Sequence, residues 1–200
     1  MVKIKKILIG THNNGKFKEI SYLISNKIEK FSPIKLGIKS PSETGKTFKA
    51  NSKLKAEYFC KKSNLISISD DSGLSVTCLD GKPGIYSARW AKKYGSFKKA
   101  MKKIIYLVQK KNLKKKIKNT KAYFFCSLSL KFPSGACINT TGKIEGNISN
   151  KIIGKKGFGY DPIFLPINSK ITFGQMLKRK KIKIDHRYIA FKKLKKKVSI

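Results

Sequence analysis

Lys5–Gly10, KKILIG, is a short apolar run ending in glycine, and after it Ile20, Leu23, Ile24 and Ile28 recur at helical spacing. This opening predicts strand, loop and helix in that order, with the loop IGTHNNGKFKE (Ile9–Glu19) at the junction. Residues 47–62, TFKANSKLKAEYFCKK, read as a second helix. Leu65–Gly73, LISISDDSG, is a β-rich run that stops at a turn. SFKKAMKKIIYLVQKK sets Phe97, Met101, Ile104 and Val108 on one face and lysines elsewhere, as an amphipathic helix does. KAYFFCSLSLKF and ACINTTGKIEGNIS flank Pro133-Ser134-Gly135 and read as a β-hairpin. The lysine-rich stretch at 110–121 reads as an exposed linker. A last helix from about His186 turns Ala190, Leu194 and Val198 inward, its lysines gathered at the dipole-favoured C-terminal end. Strands and helices alternate early and the middle is antiparallel, so the expected class is α/β, with a mixed twisted sheet and flanking helices. Its 200 residues suit one domain of two lobes, spanning residues 1–200.

The chain carries 47 basic and 10 acidic residues, a formal charge of +37, which ordinarily points to a polyanionic partner. Only Arg89, Arg179 and Arg187 are arginine, however, and the lysines are spread through nearly every segment. Arginine is the side chain that grips phosphates and guanine edges in bidentate fashion, so nucleic acid is not the expected partner. Cys60, Cys78, Cys126 and Cys137 form no CxxC pair and match no zinc spacing, and read as free thiols of a reducing cytosol. MVKIKKILIG has basic residues followed by an apolar run too short for a signal-peptide core, and no apolar run approaches the ~20 residues that span a bilayer. A cytoplasmic protein without a membrane partner is expected.

Five stretches can carry chemistry. The loop Thr11, His12, Asn13, Asn14, Gly15, Lys16 supplies a glycine and a cation at a helix N-terminus, where backbone N–H groups favour phosphate. A Walker loop would continue with a magnesium-binding hydroxyl, and here Phe17 stands instead, so the metal must come from elsewhere. An ordinary Asn-Gly turn feeding a helix fits the loop equally well. Asp70 and Asp71 are adjacent carboxylates at a strand end, a costly arrangement unless a cation lies between them, and magnesium favours one or two carboxylates plus phosphate oxygens. Glu43, ahead of a helix, is a third acidic candidate or a favourable dipole partner. GKKGFGYDPIF sets aromatic rings among glycines, which suits stacking on a base or a bend packed on the core. His186 and Arg187 can donate to an oxo group or cap the last helix.

Taken in order, THNNGKFKE, SETGKTFKANSKLKA, DDSGLSVTCLDGKPGIYSARW, GFGYDPIF and HR resemble the inosine triphosphate pyrophosphatase family, over residues 4 to 190. The resemblance implies two lobes around a central nucleotide cleft, a homodimer, a magnesium (Mg2+) cofactor, and a purine nucleoside triphosphate as substrate. Water would attack the α-phosphorus of inosine, deoxyinosine or xanthosine triphosphate, giving monophosphate and diphosphate. By position, Thr11 to Lys16 would hold phosphates with Lys16 as the clamp. Glu43, Asp70 and Asp71 would form the metal site, with Asp71 as base. Ser72 would touch substrate, Phe158, Gly159, Tyr160 and Asp161 would line the base and sugar pocket, and Lys181, His186 and Arg187 would complete it. Departures are Asp185 where the family has Ser, Ala50 where a glutamate is common, and Gln175 at an acidic position. A pyrophosphatase of different base preference, a nucleic-acid-binding protein with a vestigial site, and a P-loop ATPase are the competing readings.

Overall fold

The computed structural model describes residues 4–200, so the first three residues of the basic N-terminus lie outside the described residues. The chain forms β1 (Lys6–Ile9), α1 (Asn14–Leu23), β2 (Glu29–Phe31), α2 (Phe48–Ser63) and β3 (Ser67–Val76). It continues with α3 (Ser87–Lys93), α4 (Phe97–Lys115), β4 (Lys121–Lys131), β5 (Cys137–Ile148), β6 (Phe164–Pro166), α5 (Lys178–Lys181) and α6 (His186–Lys195). One mixed sheet has the order β2-β1-β3-β4-β5-β6. β1 runs parallel to β2 and to β3, with Leu8 opposite Phe31 and Ser67, while β5 and β6 are antiparallel. The expected α/β class with a mixed sheet is what forms. None of the described helices is long and apolar enough to cross a membrane.

The chain divides into two compact units. The first holds the chain through Asp71, Cys126–Gly142 and His186–Ile200; the second holds Ser72–Phe125 and Lys143–Asp185. Each unit has its own core. In the first, Ile7 and Ile9 of β1 meet Ile20, Ile24, Ile68, Leu128, Phe191 and Leu194. Ile7, Leu8 and Ile9 are all wholly buried, the continuous apolar run of a parallel strand covered on both faces, and each contributes about 1.5–3 kcal/mol. In the second, Met101, Ile104 and Val108 of α4 pack with Leu74, Val76, Phe124, Phe164 and Phe173. Asn13, Thr47 and Ser96 cap α1, α2 and α4 through their side chains, each worth ~1 kcal/mol.

Three expectations are corrected. The strand through LISISDDSG does not stop at a turn: β3 continues to Val76, and Asp70, Asp71 and Gly73 lie within it. Gly73 is there for close packing, since a Cβ would stand 2.2 Å from the Gly84 carbonyl oxygen. The lysine-rich 110–121 stretch is helical as far as Lys115, because lysines in a last turn suit the helix dipole and Lys116 closes it in the left-handed region. The helix predicted through Ile28 ends at Leu23, with Ile24 extended.

Candidate functional site

In the first unit the loop after β1 is ordered by its own side chains. The Asn13 N–H donates to Thr11 Oγ1 at 3.1 Å, and the Lys16 N–H to Asn13 Oδ1 at 3.0 Å. Capping in this way aims the first turn of α1, whose early N–H groups have no intrahelical partner, at the loop's mouth. Asn14 is exposed and Gly15 half-buried there. His12 is hydrogen-bonded through Nδ1 to Ser40 Oγ and lies beside Phe59.

Lys16 and the acidic residues form two sets of contacts, one on Asp70 and one on the adjacent Asp71. Lys16 Nζ is 3.2 Å from Asp70 Oδ2, which also accepts from Arg187 Nε at 3.1 Å. Arg187 Nη1 in turn donates to Glu19 Oε2 at 2.9 Å. Successive side chains of a strand point to opposite faces, and Asp71 accordingly has different partners. Asn51 Nδ2 donates to Asp71 Oδ2 at 3.2 Å, and Lys55 Nζ is 3.6 Å from Asp71 Oδ1 while also bonding Glu43. Asn51 Oδ1 accepts from the Gly45 N–H at 2.8 Å, which ties the Glu43-bearing segment to the same helix. Burial pushes the Asp71 carboxyl above its ordinary range; Lys55 and Lys16 oppose this, and Glu43 and Asp70 add to it. For Lys55, burial works against the charge, but Asp71, Asp70 and Glu43 together outweigh it and the ammonium is held more firmly than usual.

Among the described residues no three His, Cys, Asp or Glu side chains are grouped as a protein-only metal cage. The donor set is nonetheless hard carboxylate oxygen, which suits magnesium: that ion takes one or two carboxylates and completes its shell with water and substrate phosphate. Glu43, Asp70 and Asp71 supply oxygens of that kind in the first unit.

The second unit contains the other expected residues. Gly157 and Gly159 adopt φ of +73° and +65°, and between them Phe158 is half-buried. Asp161 Oδ2 accepts from the Phe158 N–H at 2.8 Å and from Lys181 Nζ at 2.7 Å, and that ammonium lies 4.9 Å from the centre of the Phe158 ring. A Cβ on Gly157 would strike the same carboxylate oxygen at 2.0 Å. Tyr160, expected beside a base, turns into the core instead: it is 2% exposed, its hydroxyl donates to the Ser87 carbonyl at 2.8 Å, and its ring meets Phe97 edge-on. Ser72 is half-buried in β3.

His186 and Arg187 open α6 in the first unit, both buried. A Cβ on Gly142 would stand 2.0 Å from the His186 carbonyl oxygen, so the helix start is seated directly on β5. Of the departures noted in sequence, Ala50 is exposed one residue ahead of Asn51, Gln175 Oε1 accepts from the Thr172 N–H at 3.0 Å, and Asp185 is wholly buried.

Three residues of the first unit's set escape sequence reading. Lys55 is hidden among 47 lysines and arginines, and Glu19 and Asn51 look like ordinary helix residues. The usable signal is periodicity, because Asn51 and Lys55 fall at i and i+4 beside Ala56 and Phe59 on the buried face of α2.

The Ham1 family model matches residues 7–197. The chain belongs to the Ham1 family. Among its relatives is a dITP/XTP pyrophosphatase of Caulobacter vibrioides, 40% identical over 95% of this chain and 96% of that protein. Another, from Oceanobacillus iheyensis, is 38% identical over 96% of this chain and 98% of its own length. The Ham1 protein of Staphylococcus aureus superposes with a TM-score of 0.81 at 33% identity, covering 96% of this chain and 97% of that one. The HAM1 protein of Coxiella burnetii does so with a TM-score of 0.85 at 28% identity, covering 96% and 98%. The family expected from the five motifs is thus the family found, across nearly the whole of this Ham1-family chain.

Proposed function

We propose that the protein is a hydrolase of non-standard purine nucleoside triphosphates, converting inosine, deoxyinosine or xanthosine triphosphate and water to the monophosphate and diphosphate. The observation that carries this reading is the pair of adjacent acids in the first unit and their partners: Lys16 beside Asp70, and Asp71 held between Asn51 and Lys55. A base works best when its pKa approaches the working pH, and Asp71 is displaced in that direction by burial. Asp71 takes the proton of the attacking water as its oxygen bonds to the α-phosphorus; the bond to the bridging oxygen breaks, and diphosphate leaves with the electron pair. Lys16 and the N–H groups at the start of α1 bind the phosphates and stabilise the charge that develops on the leaving group. Lys55 keeps Asp71 ionised and orients it. Magnesium, held by Glu43, Asp70 and Asp71 together with the substrate, would supply further charge neutralisation. Phe158, the backbone of Gly159, and Lys181 anchored on Asp161 would meet the base. Ser72 would touch the substrate, and His186 and Arg187 would favour an oxo group through their donors.

In this reading residues 1–200 act as one catalytic domain, and the protein is a cytosolic homodimer. The four cysteines being free thiols accords with a reducing compartment. The test is turnover of equal inosine, xanthosine, adenosine and deoxythymidine triphosphates with magnesium, following diphosphate against orthophosphate. Diphosphate from the inosine and xanthosine substrates is expected; orthophosphate from adenosine triphosphate would overturn the reading. Light scattering of the same sample tests the dimer.

A further inference from the structure

Under α2 lies a buried polar cluster to which the reading above gives no work. Ser52 Oγ is 2.9 Å from Ser127 Oγ and 2.9 Å from Ser129 Oγ, both on β4, and 3.1 Å from the Lys49 carbonyl oxygen. Asn139 Nδ2, on β5, stands 2.9 Å from Ser127 Oγ and 2.8 Å from Ser129 Oγ, with the Leu128 carbonyl at 3.2 Å. All three serines are wholly buried. In CSLSLK, Ser127 and Ser129 occupy one face of β4, two residues apart, where a core would ordinarily take apolar side chains.

The hydrogens can be placed so that every hydroxyl is used, and the placement has a direction. The Asn139 amide gives one N–H to each of Ser127 and Ser129. Those hydroxyls donate to the two lone pairs of Ser52 Oγ, and Ser52 donates to the Lys49 carbonyl. The network therefore ends in the first turn of α2. That turn carries Asn51, bonded to Asp71, and one turn later Lys55, bonded to Asp71 and Glu43. A network of buried hydroxyls, each of them used and tied to the half-buried Asn139, favours one arrangement of its members, whereas apolar packing tolerates sliding by a fraction of an ångström.

We propose that Ser52, Ser127, Ser129 and Asn139 form a positioning network that fixes the first turn of α2 on β4 and β5 and so holds Asn51 and Lys55 in register with Asp71. The inference rests on the reading of Asp71 as the base. None of the four touches substrate; each acts through α2.

The test compares Ser127→Ala, Ser129→Ala and Ser52→Ala with a fourfold variant, Ser52→Ala, Ser127→Ala, Ser129→Ala and Asn139→Leu, on an inosine triphosphate substrate. A misplacement of ~1 Å can cost about 100-fold in rate, so Ser52→Ala should lower kcat by about tenfold or more with KM little changed. The single serine-to-alanine changes on β4 should lower it by less. Removing every polar member together relieves the unsatisfied groups and returns the melting temperature towards that of the parent. Its kcat should nevertheless stay low, because the register is no longer specified. Folded single variants with the parent kcat, or a fourfold variant that recovers kcat along with its melting temperature, would reduce the network to fold support and overturn the inference. Asp71→Asn separates the two readings: if it keeps turnover, the assignment of the base fails, and if it is inactive while the serine variants are unimpaired, only the network fails.

Discussion

Among the described residues, Lys55, Lys181 and Arg187 are the only buried members of a set of 47 lysines and arginines, and each is seated on carboxylates. Removing a charge from water is affordable only where an opposite charge waits, so these three positions report where the acids have been concentrated. Asp71 is an acid whose surroundings oppose its charge. Its pKa lies above the ordinary 3.8 chiefly through burial. The folded protein therefore keeps this proton to a higher pH than the unfolded chain does, and the folded state holds more protons between the two values. Stability then falls as pH rises from about 3.8 through the folded pKa, and that loss persists above it. Asparagine cannot ionise and escapes the loss. Asp71→Asn should lose most of its turnover yet match or exceed the parent in urea midpoint near neutral pH, with the gap narrowing as pH falls towards 3.8. Paired urea titrations across that range check it, and a variant less stable than the parent at neutral pH would contradict the sign.

At the scale of elements, periodic apolar residues made most of the fold legible. β1, α2, α4 and the β4–β5 pair appear where their spacing places them, and α1 and α6 begin there but end short of Ile28 and Val198, because each buries one face or one run on a core. β3 was legible only as far as Gly73, since a glycine in sequence does not reveal whether it serves a turn or a close approach. Here it serves a close approach: the Ser87 hydroxyl accepts from the Leu74 N–H at 3.0 Å and donates to the Gly84 carbonyl at 2.7 Å, directly against Gly73. Gly73→Ala would force a methyl into that backbone, and overpacking of this kind costs about 1–3 kcal/mol. A drop in melting temperature of roughly 2–4 °C per kcal/mol should follow, and an unchanged melting temperature would show that the strand can shift to admit it. In the candidate site, Asp70, Asp71 and Lys16 could be read because acids are rare and the loop has a recognisable form. Lys55, Asn51 and Glu19 could not, because their work depends on helix faces that only the folded chain brings to those acids.

At the scale of the whole molecule, acid placement sharpens the cationic exterior of a chain whose formal charge is +37. Five of the ten acidic residues, Glu19, Asp70, Asp71, Asp161 and Asp185, are buried, which leaves the exterior almost wholly cationic. A surface of one sign repels its own charges and draws in polyanions, and a nucleoside triphosphate is a small one. The field reaches as far as salt allows, about 30 Å at 0.01 M and about 8 Å at 0.15 M. Encounter should therefore be accelerated at low ionic strength, while the step after binding, governed by groups within a few ångströms of Asp71, is screened far less. Raising salt across that interval should lower kcat/KM by about tenfold and leave kcat nearly level, steering being worth 10-fold or more in association rate. Duplex DNA added at low salt should compete for the exterior and lose its grip steeply as salt rises, as binding by counterion release does. Steady-state kinetics in a salt series, with and without the duplex, measures both. A kcat/KM independent of salt would mean that the lysines steer nothing. A duplex affinity that survived physiological salt would mean that the basic exterior serves a partner of its own.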